Sequence, residues 1–364
     1  MLSLKSNLMF CILFQLQSIS YYLKSDGLLV GVEETLPSAS NKTYNVLWYN
    51  PPPYLILRQK AHNRRFDTCE YSNCKLTFKK AQGEKSNAII FDGRMFTPLP
   101  FKRPKHQVWI FAAHEAPAIF NLTTQWRKLI WIDSFNWTMA YDRHNTDIYL
   151  PYGELRQHRQ EQKRDFEAIA KEKTKDCLMI VSHCTTDSKR EKYVQELKKY
   201  IDIDVFGGCG TPMKCGKRFV HDECFNKLNS TYRFYLAFEN AYCRQYFSEK
   251  FFENFNYDTI MVTLGGERNE STEIFPKEAF ISTDSFQSPK QLAEYLKKLS
   301  KSTEDYAALL RRKGQYYSVD YSVVYQRALC DICKRLNHSN KYRKTIPNII
   351  KWANPPCELG PRGL

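Results

Sequence analysis

From Tyr44 onward, short apolar runs alternate with polar stretches long enough for a helix, and the alternation starts afresh at Cys177. Runs of this kind are what βαβ units need. A parallel strand is buried on both faces and so reads as continuously apolar, and its crossover to the next strand takes about a dozen residues, usually a helix. The pattern predicts parallel sheets clad in helices, an α/β fold, and excludes an all-β sandwich or a helical bundle. With 364 residues and 43% apolar content, the chain is long enough for two such domains with real cores.

Strands are expected near 45–49, 88–91, 107–112 and 147–150, and then at 177–182, 203–206, 234–238 and 259–264. Helices are expected over 188–200, from Glu249, and after Ser288-Pro289. Between the halves, 154–176 is charged and Gln-rich with almost no strand formers, and reads as a linker helix after Pro151-Tyr152-Gly153. The expected organisation is therefore a first α/β domain over 44–153, the linker over 154–176, a second over 177–336, and a basic tail over 337–364.

The first two dozen residues carry the only membrane-like signal. Lys5 precedes an apolar run over 8–14 that thins through Gln15, Gln17, Ser18 and Ser20. That is short of the roughly 20 residues a span needs. Residues 1–23 read as a short type II signal anchor with Lys5 on the cytoplasmic side, or as a signal peptide cut near Ser18 and Ser20, with 24–43 as a stem. Six Asn-x-Ser/Thr sequons, at Asn41, Asn121, Asn136, Asn229, Asn269 and Asn337, agree with a lumenal fate. So do twelve cysteines, which favour disulfides in an oxidising compartment. With Cys11 in the anchor an odd number remains, so one thiol is expected free. The net charge of +15 suits an anionic partner (nucleic acid, acidic lipid, sulfated glycan or a nucleotide diphosphate), or is simply solvated surface.

Three constellations point to chemistry. Over 233–250, the buried strand 234–238 runs through a polar turn to a helix start carrying Glu249 and Lys250, an arrangement that offers backbone N–H groups and a cation to a phosphate. His114-Glu115-Ala116-Pro117 puts a carboxylate just past the strand 107–112, where it could take a proton; alone, such a glutamate is more often plain surface. Asp187 or Ser188 is a candidate N-cap for a helix whose Arg190 could fork onto a diphosphate. Asp202-Ile203-Asp204 matches a Mn²⁺-holding Asp-x-Asp pattern, but Asp204 enters the strand 203–206 and reads as structural, leaving no metal site. Cys330-Asp-Ile-Cys333 lacks the second pair that zinc would require. Cys209 and Cys215 flank a Gly-rich loop and are expected to form a local bridge, whereas spacing assigns no partner to Cys177, Cys184, Cys224, Cys243 or Cys357.

The wording of several segments goes further. Residues 233–250, Arg-Phe-Tyr-Leu-Ala-Phe-Glu-Asn-Ala-Tyr-Cys-Arg-Gln-Tyr-Phe-Ser-Glu-Lys, resemble the donor-binding signature of the α1,3-fucosyltransferases of glycosyltransferase family 10, inverting enzymes that use GDP-fucose. The likeness runs from about Tyr44 to Cys333. It includes Phe135-Asn136-Trp137-Thr138 with Tyr141, Arg143, Asp147 and Pro151-Tyr152-Gly153, then Phe280-Ile281 and Asp284-Ser285-Phe286-Gln287-Ser288-Pro289. Ser182-His183-Cys184 and Asp204-Val205-Phe206-Gly207-Gly208 are closer to the invertebrate and plant members that act on the N-glycan core.

The resemblance implies a GT-B fold, two Rossmann-like domains facing across a cleft. It implies Glu115 as catalytic base, Arg190 on the nucleotide phosphates, Glu249 on the ribose, Lys250 on the leaving diphosphate, and Asn240 and Tyr246 lining the donor pocket. It also implies that Cys69 and Cys74 bond Cys330 and Cys333. GDP-fucose is the expected donor and no cofactor is required, a divalent cation being at most a stimulant. The expected acceptor is the core GlcNAc of a glycoprotein N-glycan, the expected location the Golgi membrane with the catalytic part lumenal, and no nucleic acid is involved. The alternatives are a Lewis-type or LacdiNAc-directed fucosyltransferase, or a catalytically silent secreted glycan-binding protein of the same fold. Two departures bear on the donor pocket: His183 stands where the family usually has Asn, and the segment from Asp258 to Phe275 is altered.

Overall fold

The computed structural model describes residues 42–52, 66–95, 98, 101–118, 126, 131–212, 229–266, 275–354 and 357. The expected anchor and nearly all of the stem, with Asn41, Asn121, Asn269, Cys215 and Cys224, lie outside them. Among the described residues no helix is long and apolar enough to cross a membrane.

The first lobe is built on strands β1 (Tyr44–Trp48), β2 (Cys74–Thr77), β3 (Ala88–Asp92), β4 (Val108–Ala113), β5 (Trp137–Ala140) and β6 (Ile148–Tyr149). They form one sheet in the order β2-β1-β3-β4-β5-β6, and every pairing is parallel. Trp48, Ile90, Ile110, Trp137 and Met139 bury one face and Leu47, Tyr49, Phe91, Trp109 and Phe111 the other, which is why these runs read as apolar throughout.

Next come β7 (Glu154–Gln157) and the seven-residue helix α1 (Phe166–Glu172), where the sequence predicts a linker helix over 154–176. The correction has a simple cause: β7 pairs antiparallel with β13 (Tyr316–Val319), so its backbone is satisfied by that ladder while Arg156 and Gln157 remain exposed. No apolar alternation is needed to hold such a strand, hence none is visible in the sequence.

The second lobe carries β8 (Lys175–Ile180), β9 (Ile203–Phe206), β10 (Tyr232–Phe238), β11 (Ile260–Leu264) and β12 (Ile281–Ser282), ordered β12-β11-β10-β8-β9 and all parallel. Helices α2 (Arg190–Leu197), α4 (Pro289–Lys301) and α5 (Thr303–Lys313) help bury its faces, while α3 (Glu249–Phe252) is a single turn. Asp204 lies inside β9, ion-paired with Lys175 at 2.7 Å and accepting the Tyr232 hydroxyl at 2.6 Å. Its carboxylate is thus committed to the sheet.

A second correction concerns the chain's end. Helix α6 (Tyr321–Asn337), N-capped by Asp320, does not close the second lobe: Val324, Tyr325, Ala328, Leu329, Ile332 and Cys333 form an apolar stripe that packs on the first sheet. Cys330 and Cys333 on α6 bond Cys69 and Cys74, as the resemblance implies. The basic tail then crosses to the sheet's other face, where Ile349 and Ala353 of α7 (Ile349–Ala353) are buried.

Cys209 bonds Cys184, not Cys215. β8 and β9 are adjacent and parallel, so residues just past their carboxyl ends share one end of the sheet, with 5.3 Å between the two Cα atoms. Cys243 bonds Cys357, and Cys177 is a buried free thiol. Of the described sequons, Asn136 donates its amide to Lys344 O at 2.9 Å and Asn337 donates to Cys333 O at 2.9 Å, so both amide nitrogens serve the fold; the Asn229 carbonyl accepts from the Asp258 backbone.

Lys313 and Lys173 are buried under the second sheet, with 6% and 2% exposure. Lys313 Nζ donates to Tyr257 O at 2.7 Å and lies 4.6 Å from the Phe255 ring centre. Burial pushes Lys313 down to about 7 and Lys173 to about 8, only partly offset by Asp258. An unfolded lysine titrates near 10.4, so between about pH 7 and 10 the unfolded chain binds more protons and stability rises with pH. The expected result is a Tm that climbs most steeply from pH 8 to pH 9, where both lysines contribute and stability rises by up to about 1.4 kcal/mol per pH unit for each. Lys313→Met should flatten that slope by about half; thermal melts of the two proteins at matched pH check it, and an unchanged slope refutes it.

Candidate active site

In parallel sheets with these strand orders, the chain leaves the first strand in opposite directions at one point, and the crevice beyond the strand ends there is the natural ligand site. In the second lobe the crevice lies between β8 and β10; in the first, between β1 and β3. Arg190 and the group around Glu239 lie at the second-lobe crevice, and Glu115 follows β4, one strand beyond β3.

Just past β10, Glu239 is fully buried. Its carboxylate accepts the Ser248 backbone N–H and hydroxyl, both at 2.7 Å, and Lys250 Nζ at 3.3 Å. Lys250 also donates to Ser248 Oγ at 2.9 Å and to Glu249 Oε1 at 3.3 Å. Burial pushes the Glu239 carboxyl up, Lys250 draws it back, and Glu249 adds to the rise. Because α3 is one turn, its dipole is small, and the positive charge at this end is Lys250 itself, 14% exposed. Asn240 Oδ1 is buried with no hydrogen-bond partner among the described residues.

Arg190 sits at the same switch point, but its guanidinium is tucked inside: the residue is 2% exposed, Nη1 donates to Phe238 O at 2.7 Å and Nη2 to His183 O at 3.0 Å. It therefore ties the ends of β8 and β10 together instead of projecting as an open fork. Its Nε has no partner among the described residues. His183 contributes its carbonyl to this contact, so the departure from Asn leaves that bond untouched.

In the first lobe Glu115 follows β4. Arg94 Nη1, just past β3, lies 2.9 Å from Glu115 Oε1, and the Tyr246 hydroxyl donates to Oε2 at 2.8 Å. Tyr246 belongs to the second lobe and is 1% exposed, so this single hydrogen bond joins the two crevices. Burial pushes its phenol well up, and the charges of Glu115, Glu239 and Glu249 add to the shift. The hydroxyl therefore stays protonated and serves as a donor to Glu115.

Further contacts fix the approach of the lobes. Arg244 pairs with Asp142 at 2.9 Å, and Gln245 Oε1 accepts the Arg143 N–H at 3.1 Å. Tyr246 packs on Tyr141 with ring centres 5.0 Å apart, and the Cys243–Cys357 bridge ties the segment to the tail. Gln245 holds a left-handed φ of 56° and donates its backbone N–H to Gly266 O at 2.7 Å, while Gly266 (φ 83°) has no room for a Cβ, which would meet the Phe247 ring at 2.6 Å. His114 stacks on Tyr152 at 3.9 Å, seating the loop that presents Glu115.

The structure thus gathers Glu115 and Tyr246 directly, and Glu249, Lys250 and Asn240 around Glu239, with Arg190 buried behind. Sequence reasoning missed Arg94, Glu239 and Arg244. Glu239 was legible as a carboxylate ending an apolar strand, and Arg94 follows β3 by the rule that singled out Glu115 after β4.

Comparison with known proteins accords with this site. Residues 170–352 match the C-terminal family model of glycosyltransferase family 10 (fucosyltransferase), and residues 41–153 match the fucosyltransferase N-terminal model. The chain is 32% identical over 296 residues to glycoprotein 3-alpha-L-fucosyltransferase A of Drosophila melanogaster, covering 79% of this chain and 56% of that protein, so it spans little more than half of that relative. It is 30% identical over 338 residues to alpha-(1,3)-fucosyltransferase C of the same fly, covering 84% and 73%. A solved structure of alpha1,3-fucosyltransferase with GDP-fucose matches at a TM-score of 0.54 and 14% identity over 85% of this chain and 95% of that one, a likeness of fold that fits the expected GT-B architecture.

Proposed function

The chain belongs to glycosyltransferase family 10, the fucosyltransferases, and from that premise we propose that it transfers L-fucose from GDP-β-L-fucose to the 3-hydroxyl of a GlcNAc on glycoprotein N-glycans, with the core GlcNAc as acceptor. The observation that carries this is the Tyr246–Glu115 hydrogen bond of 2.8 Å, because it brings a candidate base in one lobe to the cation-bearing crevice of the other.

In this reading Glu115 removes the acceptor hydroxyl's proton as that oxygen attacks the anomeric carbon from the face opposite GDP, so the β-linked donor gives an α-linked product. Charge grows on the departing diphosphate as the bond to carbon breaks. Lys250, held by Glu239 and Ser248, stands where that charge develops and stabilises the transition state more than the bound donor. Glu249, 22% exposed, can still accept the ribose hydroxyls. Arg190 acts by holding the two strand ends that frame the pocket. The choice of the core acceptor rests on the likeness to the Drosophila enzyme named for glycoproteins. The proposed setting is the Golgi lumen behind a type II anchor, to which the disulfides among the described residues are suited.

The test is transfer from GDP-fucose to a panel holding an N-glycan core, N-acetyllactosamine and LacdiNAc, read by mass and by the anomeric coupling of the added sugar. Fucose on the core GlcNAc supports the proposal; transfer confined to the other acceptors moves the reading to a Lewis-type or LacdiNAc-directed enzyme. No transfer at all, with heparin but not GDP raising the Tm, overturns it in favour of a silent glycan-binding protein.

A further inference from the structure

The turn after β3 is held more firmly than a surface turn requires. Asn50 clamps the Asp92 backbone from both sides, accepting its N–H at 2.8 Å and donating to its carbonyl at 3.0 Å. Gly93 N–H donates to Ala112 O at 3.0 Å, and Gly93 O accepts the Trp126 indole N–H at 2.7 Å. Asp92 Oδ1 accepts the Arg94 backbone N–H at 3.0 Å, and Met95 N–H returns to Asp92 O at 3.1 Å. Every one of these bonds fixes the origin of one side chain, Arg94, whose guanidinium meets Glu115 Oε1 at 2.9 Å.

We propose that Arg94 is the positioning residue of Glu115: with the Tyr246 hydroxyl on the other oxygen, it sets the plane of the carboxylate that meets the acceptor hydroxyl. This rests on the reading of Glu115 as the base. Oε1 accepts from Arg94 and Oε2 from Tyr246, and the carboxylate, 20% exposed, keeps acceptor capacity for the incoming hydroxyl. The proton leaving the acceptor oxygen lands on Glu115 while the oxygen bonds to the anomeric carbon and GDP departs with the electron pair. The groups facing Glu115 are Arg94 and Asp92 from the β3 end, Tyr246 from the second lobe, and Tyr141 from the end of β5. Asp92 is buried beneath, pushed up to about 6 and drawn back by Arg94, so this arginine serves two carboxylates. The base is thereby held in one plane before the acceptor binds, so no orientation has to be found at the moment of transfer.

The test compares Arg94→Met, Arg94→Lys, Glu115→Gln and the double variant Arg94→Met/Glu115→Gln for kcat, donor KM and GDP affinity, after their Tm values show each to be folded. Arg94→Met is expected to lower kcat about 30- to 100-fold with GDP affinity and donor KM unchanged. Arg94→Lys, which keeps the charge but not the fork, should recover part of the rate. The double variant should be no slower than Glu115→Gln alone. Arg94→Met at a normal rate, a loss of GDP affinity matching the loss of kcat, or full additivity with Glu115→Gln would each overturn the proposal while leaving Glu115 as base. A normal rate in Glu115→Gln itself would overturn the base reading and the positioning role with it.

Discussion

Glu115→Gln is expected to cut fucose transfer at least a thousandfold, the upper part of the range for losing a general base, while GDP binds nearly as in the parent protein. The substitution keeps the shape of the site. The amide oxygen still accepts from Arg94, and the Tyr246 hydroxyl can turn to accept from the new NH₂ group, so neither partner is stranded. What is lost is the capacity to take a proton. Glu115 and Arg94 belong to the first lobe, whereas Lys250, Glu249 and Asn240 belong to the second, so the nucleotide crevice should not register the change. Initial rates with saturating acceptor, set beside GDP titration calorimetry, separate the two quantities. Equal loss of both would mean that Glu115 holds the donor or the lobes together, and that the base lies elsewhere.

The parts of this molecule visible in the sequence are those whose constraints are local. Strands buried on both faces must be apolar throughout, and β3, β4, β10 and β11 were legible for that reason. β7 and β13 were not, because they satisfy only each other's backbones at the junction of the lobes and most of their side chains are only partly covered. The return of α6 to the first sheet was invisible in another way: its apolar stripe announces a helix with one buried face but does not say which sheet covers it. The Cys184–Cys209 bridge depends on knowing that β8 and β9 are neighbours, which loop spacing cannot report. The site divides along the same line. Glu115 and Lys250 were found in segments whose wording is distinctive, but Arg94 gains its meaning only from a partner 21 positions away and Tyr246 from one 131 away.

The second large effect is expected at Lys250, and it has two components that respond differently to a compensating change. Lys250→Ala should weaken donor binding and turnover together, by about a hundredfold or more in kcat/KM, since a cation at a developing diphosphate charge is worth about 3 kcal/mol. It should also destabilise the fold, because Glu239 is fully buried and Lys250 is the charge that offsets its burial. Breaking one side of a buried pair costs about 3 to 5 kcal/mol, whereas removing both sides is far cheaper. With its partner gone the Glu239 carboxyl rises still further above the value of an unfolded glutamate. A group raised in the folded state contributes stability below its unfolded value and loses that stability as pH climbs through the folded one. The Lys250→Ala protein should therefore melt higher at pH 5 than at pH 7.5. Lys250→Met/Glu239→Gln removes the charge from both positions, the Ser248 N–H keeping its bond to the amide oxygen while the Ser248 hydroxyl turns to accept from the amide NH₂; its Tm should return towards that of the parent and lose this pH dependence, yet its transfer rate should stay low. A double variant that regained activity with stability would show that Lys250 serves only the fold, and a normal rate in Lys250→Ala would remove it from the donor site altogether.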